Sequence, residues 1–361
     1  MAFVEGEQGH GELAGRWLLL RNTGVSTGVC FFDQGGAMHD LQLPDAGPGW
    51  NRGAVATLPR GGSRRAHPAV VGLNSDSQSA IWALDLDGKA SLLAGTMSDP
   101  PPGGPEFVDG PGAQARFGFI KGLAMDLDGN VYVNDRGIVI RVVTPAGQVS
   151  TLAGHRRTPN AAGEWPPYAD GKGKDVCFVD MESITCDPVE KVLYVLDADR
   201  RICKVTTAGE VTTVLPPDDS GIQVQGTAPA QPLGGGALRL AWFNGLLVLP
   251  DPTSKVVKLF NPHSKVFATL VGDPSQPTLR GGPVRLFSPD LPPERCAACA
   301  WPREIAINAE GQGLLSDLEN KVVMTLDLSP LAAPAPAVPG SGAAAAPAPR
   351  GPGGSAAAPP H

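Results

Sequence analysis

An all-β fold of six like sheets is what this 361-residue sequence predicts, on three observations. Short apolar runs alternate with polar residues and are bounded by Gly, Pro, Asp and Asn, of which Gly (46) and Pro (37) are abundant; such punctuation suits strands joined by tight turns. The stretch GLAMDLDGNVYVNDRGIVIRVVTPAGQVSTLAG at 122–154 reads strand, turn, strand, turn, strand, and its closing LAG at 152–154 recurs at 93–95. One arrangement also repeats along the chain: an apolar run ending in Asp or Asn, a turn, then a second run. Successive Asp anchors stand 59, 62, 54 and 66 residues apart.

In the first unit WLLLRN ends at Asn22 and VCFFD follows. In the second VVGLNSD ends at Asp76, AIWALD follows, and DLDGK makes the next turn. The third runs GLAM, DLDGN, VYVND ending at Asp135, VIRVVT, TPAGQ and VSTLAG. The fourth runs SITCDPVEK, VLYVLD ending at Asp197, RICKVT and TTAGE. The fifth has LLVLPD ending at Asp251, KVVKLF and NPHSK, and the sixth EIAINAEGQ, GLLSD ending at Asp317, and KVVMTL. Each unit is thus up to four short antiparallel strands. A single sheet of this kind cannot bury both faces, whereas radial stacking of six buries them all, which is a β-propeller. The first unit lacks a clear innermost strand, for which ELAG at 12–15 or the stretch around Phe3 are candidates, and the last lacks an outermost one. The repeated anchors Asn22, Asp76, Asp135, Asp197, Asp251 and Asp317 are expected to be structural, capping turns through backbone N–H groups.

Residues 107–154, with the DG-x-G-x-x-A-x-F lead-in, the GLAMDLDGNVYVND core and the VTPAGQVSTLAG close, resemble the NHL-repeat family of propellers. The resemblance extends to 169–215, and the period carries it over roughly 15–328. It implies a six-bladed propeller of NHL type and, in most relatives, protein or ligand binding. The expected organisation is a propeller over 1–330 and a disordered tail over 331–361, where Ala, Pro, Gly and Ser replace all periodicity.

The formal net charge of −7 and pI near 5.4 speak against a broad electrostatic footprint for nucleic acid or an acidic membrane. No apolar run approaches the ~20 residues that cross a bilayer, and the acidic start MAFVEGEQGHGELAG does not read as a signal peptide. Six scattered cysteines then suit free thiols in a reducing compartment, and an intracellular, cytoplasmic location is expected.

Aligning the innermost strands brings Lys121, Glu182, Arg303, Arg239 and Arg52 to one structural position near the channel mouth. Four of the five are basic in an acidic protein, so the rim is a candidate site for an anion or acidic peptide; splaying of the side chains into solvent, with Glu182 paired to neighbours, is the competing expectation. Trp50 and Trp165 lie in Gly/Pro-rich loops, where exposed aromatics commonly mark binding faces. DLDGN at 126–130 opens like a calcium loop but lacks the later ligands, and CAAC at 296–299 has no second ligand pair. No metal, cofactor or catalytic residue is expected. The function expected is a non-catalytic binding or scaffold module for a protein or peptide, or a small anion. The competing class is a metal-dependent lactonase, hydrolase or lyase in the channel, which needs a channel carboxylate with Asn or His partners. Glu182 and Glu304 are the only inner-strand carboxylates, at neighbouring alignment positions that face opposite ways.

Overall fold

The computed structural model describes residues 1–5, 12–22, 27–32, 38–41, 43, 52–63, 66–75, 78–96, 106–218, 223–224, 233, 239–271, 302–317 and 322–331. They form six sheets around one axis, a six-bladed β-propeller, antiparallel throughout except where Gln223–Val224 adds a parallel strand to the edge of the fifth. From the axis outward, blade 1 is Ala2–Val4, Arg16–Asn22, Thr27–Phe32 and Met38–Leu41, and blade 2 is Arg52–Thr57, Ala69–Asn74, Ser79–Leu84 and Ala90–Gly95. Blade 3 is Ile120–Met125, Val131–Asp135, Val139–Val143 and Gln148–Gly154; blade 4 is Ser183–Asp187, Val192–Asp197, Arg201–Thr206 and Glu210–Leu215. Blade 5 is Ala241–Phe243, Leu246–Asp251, Val256–Asn261 and Val266–Val271, and blade 6 has Pro302–Ile307, Gln312–Asp317 and Val322–Asp327. Of the two candidates for the missing inner strand, the stretch around Phe3 fills it: Phe3 pairs with Trp17.

Alternation along each strand decides which neighbour a side chain meets. Val131 and Val133 join the apolar cluster shared with blade 2, while Tyr132 between them joins the cluster shared with blade 4. Five such clusters fill the interfaces from blade 1 to blade 6. Among the described residues no sixth cluster joins blade 6 to blade 1. There Glu5 accepts the Ala309 N–H at 3.0 Å, Arg60 pairs with Glu310, and a cleft of about 630 Å³ lies beside the Phe3–Trp17 ring pair. Val323, on the third strand of blade 6, is 49% exposed where its counterparts Ile81, Ile140, Ile202 and Val257 are fully buried.

The tail expected to be disordered lies outside the described residues beyond Leu331. Leu331 itself belongs to a 3-10 turn, Ser329–Leu331, whose last carbonyl accepts from Asn244 Nδ2 at 2.7 Å. Among the described residues no helix is long and apolar enough to cross a membrane.

Candidate functional site

The anchor aspartates position the starts of the inner strands. Asp135 is fully buried at the end of its strand. Its Oδ1 accepts the N–H groups of Gly118 (2.8 Å) and Phe119 (2.9 Å), just before the strand that carries Lys121. Asp197 does the same one blade on, accepting from Val179 and Asp180 just before Glu182. The side chain therefore fixes a loop 16–18 residues upstream rather than the turn after it. Asp251 does cap its own turn, accepting from the Ser254 N–H (3.0 Å) and hydroxyl (2.9 Å), with Lys258 Nζ at 2.7 Å. Asp317 is buried too. Asp76 lies outside the described residues, and the blade 2 register puts Leu73, opposite Ala80, where blade 3 has Asp135 opposite Val139. Asn22 ends its strand, with its side chain outside the described set.

Burial pushes the Asp135 carboxyl up to about 6, against the lowering by the Phe119 N–H, Arg141 and the Gly118 N–H. A carboxyl whose folded pKa lies above its unfolded value contributes stability at pH below about 4 and loses it as pH rises to about 6. The expected result is a carboxyl ¹³C titration midpoint for Asp135 near 6 by NMR; a midpoint under 3.8 would show that Arg141 and the two N–H groups outweigh desolvation.

Contacts join three of the five predicted rim residues, Lys121, Glu182 and Arg239. Lys121 Nζ lies 2.5 Å from Asp180 Oδ1 and 3.8 Å from Glu182 Oε1. Arg239 donates to the Glu182 carbonyl oxygen and, through Nε, to Glu304 Oε1 at 3.0 Å. The chain Lys121–Glu182–Arg239–Glu304 thus crosses blades 3 to 6. The expected cluster of like charges is interleaved with carboxylates, including Asp180 and Glu304. Arg303 is half-buried with no hydrogen bond or ion pair among the described residues. Arg52 starts the inner strand of blade 2, and its side chain lies outside the described set. The paired groups are a quarter to a half exposed, so each bridge contributes under about 1 kcal/mol; the network sets geometry more than stability. Trp165 is 59% exposed beside Arg157, whose guanidinium lies 5.5 Å from the ring centre, and Trp50 lies outside the described residues.

Toward the other ends of the inner strands the channel widens into a cavity of about 680 Å³. Leu123, Ile184, Phe243, Ile305 and Trp242 give it apolar walls, and Ala56, Ala124, Ala241 and Ala306 keep the bore open. Trp242 packs against the apolar cluster between blades 4 and 5, stacks on Tyr194 at 5.2 Å and lines this cavity as well. The small residue in GLAM, LRLAW and EIAI was the signal in the sequence, but one strand cannot show that several such residues face one axis. Among the described residues no three or more His, Cys, Asp or Glu side chains are grouped to hold a metal ion. DLDGN is a hairpin turn in which Asp126 Oδ1 accepts the N–H groups of Asp128 and Asn130. Cys30, Cys177, Cys186 and Cys203 are buried free thiols, and CAAC at 296–299 lies outside the described residues. Burial raises the Cys203 thiol to about 12, so it is no nucleophile at neutral pH.

No protein-family model and no curated protein matches the chain. Among solved structures the chain is similar to one described as a nidogen/laminin complex, at 15% identity and a TM-score of 0.50 over 87% of this chain and 90% of that one. It also aligns with a streptogramin B lyase, at 11% identity and a TM-score of 0.43 over 89% of this chain and 82% of that one. The Malassezia sympodialis allergen Mala s 1 aligns at 11% and 0.43 over 70% of this chain and 74% of that one. At such identities the likeness is one of fold. The six-bladed propeller is established, and membership of the NHL-repeat family does not follow.

Proposed function

We propose that the chain is a non-catalytic binding module that takes an acidic segment of a protein partner on the rim at the start of the inner strands. The observation that carries this reading is Arg303, a partly buried residue next to Glu304 on the inner strand of blade 6, with no hydrogen bond or ion pair among the described residues, near one end of the Lys121–Glu182–Arg239–Glu304 chain in sequence. A small anion has to compete with Asp180, Glu182 and Glu304 for the other cations. An extended peptide can instead place one carboxylate on Arg303 and donate backbone N–H groups to the rim carboxylates. The rigid ring holds these groups in place before binding, which lowers the ordering cost.

The test is isothermal titration with a flexible hexapeptide of Glu and Gly, with sodium sulfate at matched ionic strength as comparison. The expected result is binding of the peptide, weakened about tenfold or more by Arg303→Ala, and little response to sulfate. Equal binding by the wild type and the Arg303→Ala, Lys121→Ala double variant would overturn the assignment of this rim.

A further inference from the structure

The loop that follows the outer strand of blade 3 holds a large aromatic side chain in the open. Of the described tryptophans only Trp165 is exposed, at 59%. The loop is pinned by its own polar groups. Asn160 Oδ1 accepts the N–H groups of Ala162 (2.9 Å) and Glu164 (3.0 Å), and Asn160 Nδ2 donates to Glu164 Oε2 at 2.9 Å. Arg157 ties the loop to the body of the propeller. Its Nη1 donates to the Val179 carbonyl oxygen at 3.3 Å and its Nη2 to that of Pro166 at 2.5 Å, and the guanidinium lies 5.5 Å from the centre of the Trp165 ring. An indole held in the open on a pinned loop has already met the ordering cost of binding.

The same contacts connect this ring to the rim. Val179 precedes Asp180, whose carboxylate takes Lys121 Nζ at 2.5 Å. From Lys121 to Trp165 the surface therefore runs through Asp180, Val179 and Arg157, over the junction of blades 3 and 4. Arginines flank the way. Arg136 and Arg156 share one carboxylate, that of Glu106: Arg136 pairs with it directly and Arg156 Nη1 stands 3.9 Å from it. Both arginine side chains are more than half exposed. Arg157 meets carbonyl oxygens and the indole, and no carboxylate, among the described residues.

These groups select the guest. A cation is repelled by Arg156 and Arg157, whereas an aryl ring gains an offset or edge-on contact with the exposed indole. An acidic residue next to that ring meets Arg156, whose only carboxylate neighbour among the described residues is shared.

We propose that the acidic segment taken by the rim continues outward over the junction of blades 3 and 4, with a carboxylate on Arg156 and an aromatic side chain stacked on Trp165. This rests on the rim reading above and supplies the specificity that a rim of mixed charge lacks. The inner and outer strands of a blade lie three strand spacings apart, about 14 Å, a distance that about six extended residues span with slack.

The experiment titrates the full chain at pH 7 with capped peptides, read by calorimetry and tryptophan fluorescence. One is the Glu and Gly hexapeptide. The others carry, at either end of it, six Gly and Ser residues, one Glu and a terminal Phe, or the same extension ending in Ala. The expected result is that one Phe-ended peptide binds about tenfold or more tighter than the hexapeptide and shifts the tryptophan emission, while its Ala-ended counterpart does not. Trp165→Ala should bring the Phe-ended peptide down to the Ala-ended affinity, and Arg156→Ala should cost it about threefold. Should Trp165→Ala misfold by circular dichroism, Trp165→Leu, which keeps bulk without an aromatic face, has to remove the same gain. Arg303→Ala should weaken the Phe-ended peptide by the same factor as the hexapeptide, because one chain spans both places. Hexapeptide binding with no gain from Phe at either end, or a gain that survives loss of the indole, overturns this proposal and leaves the rim reading standing. A gain indifferent to Arg303→Ala overturns the continuity between rim and loop. No binding of the hexapeptide at all overturns the rim reading, and this one with it.

Discussion

Arg141→Met is expected to lower the unfolding free energy by about 3–5 kcal/mol, measured by urea unfolding at pH 7. The guanidinium is fully buried and donates to Asp135 (3.2 Å), Asp109 (2.6 Å) and the carbonyl oxygens of Val108 (2.9 Å) and Arg116 (3.0 Å). It also lies 5.4 Å from the centre of the Phe117 ring. Methionine fills much of the space but leaves the Asp135 carboxylate buried without its counter-charge. The Val108 and Arg116 carbonyls keep their mutual backbone bonds, and Asp109 can turn to water, so the uncompensated Asp135 charge dominates the cost. Adding Asp135→Asn should recover part of the loss, with a coupling of about 1–3 kcal/mol. A single-variant cost under about 1 kcal/mol would mean that the pair scarcely offsets its own desolvation. Other blades solve the same position differently. Trp82, Cys203 and Lys258 occupy it in blades 2, 4 and 5, all buried, and Lys258 pairs with Asp251 as Arg141 does with Asp135. In blade 4, where Cys203 carries no charge, Tyr168 reaches in to contact the sulfur at 3.0 Å, and the Arg201 guanidinium sits over its ring at 3.8 Å.

Gly147→Ala is expected to cost about 2–4 kcal/mol, and Gly209→Ala a similar amount, in the same urea assay. Both glycines close the turn between the third and outer strands at φ +82° and +79°, where a side chain is strained. Strain alone accounts for only about 1–2 kcal/mol. The rest comes from the neighbouring blade: a Cβ at 147 would stand 2.5 Å from the Leu93 carbonyl oxygen, and one at 209 would stand 2.5 Å from that of Leu152. The turns are pressed there because Gly147 and Gly209 accept N–H bonds from Gly112 and Gly173, each at 2.9 Å. Gly245→Ala serves as the control. Its φ is +83°, but a Cβ there meets nothing within 4 Å, so only the strain term should be lost. Equal losses at 147 and 245 would show that the inter-blade approach contributes nothing.

The sequence by itself determined the all-β class, the six units and their strand order. Each of these rests on local chemistry: period-two alternation, and Asp, Asn and Gly in the turns. It also aligned Lys121, Glu182, Arg239 and Arg303 at one expected position of the repeat, because a repeat aligns positions even without coordinates. What those residues touch was decided only by tertiary structure. Arg239 meets Glu304 across 65 positions of chain and the Glu182 carbonyl across 57. Strand alternation had Glu182 and Glu304 facing opposite ways, and it could not show that Arg239, from the blade between theirs, meets a group of each. The anchors show the same division. Asp135 was legible as a structural residue, but its partners Gly118 and Phe119 lie upstream and meet it only once the inner strand is laid beside the second. The cavity was least legible of all. Its bore is the sum of one small residue from each of several strands. A propeller's repeats are written in sequence because each obeys local rules; its axis belongs to no repeat, and exists only where all six meet.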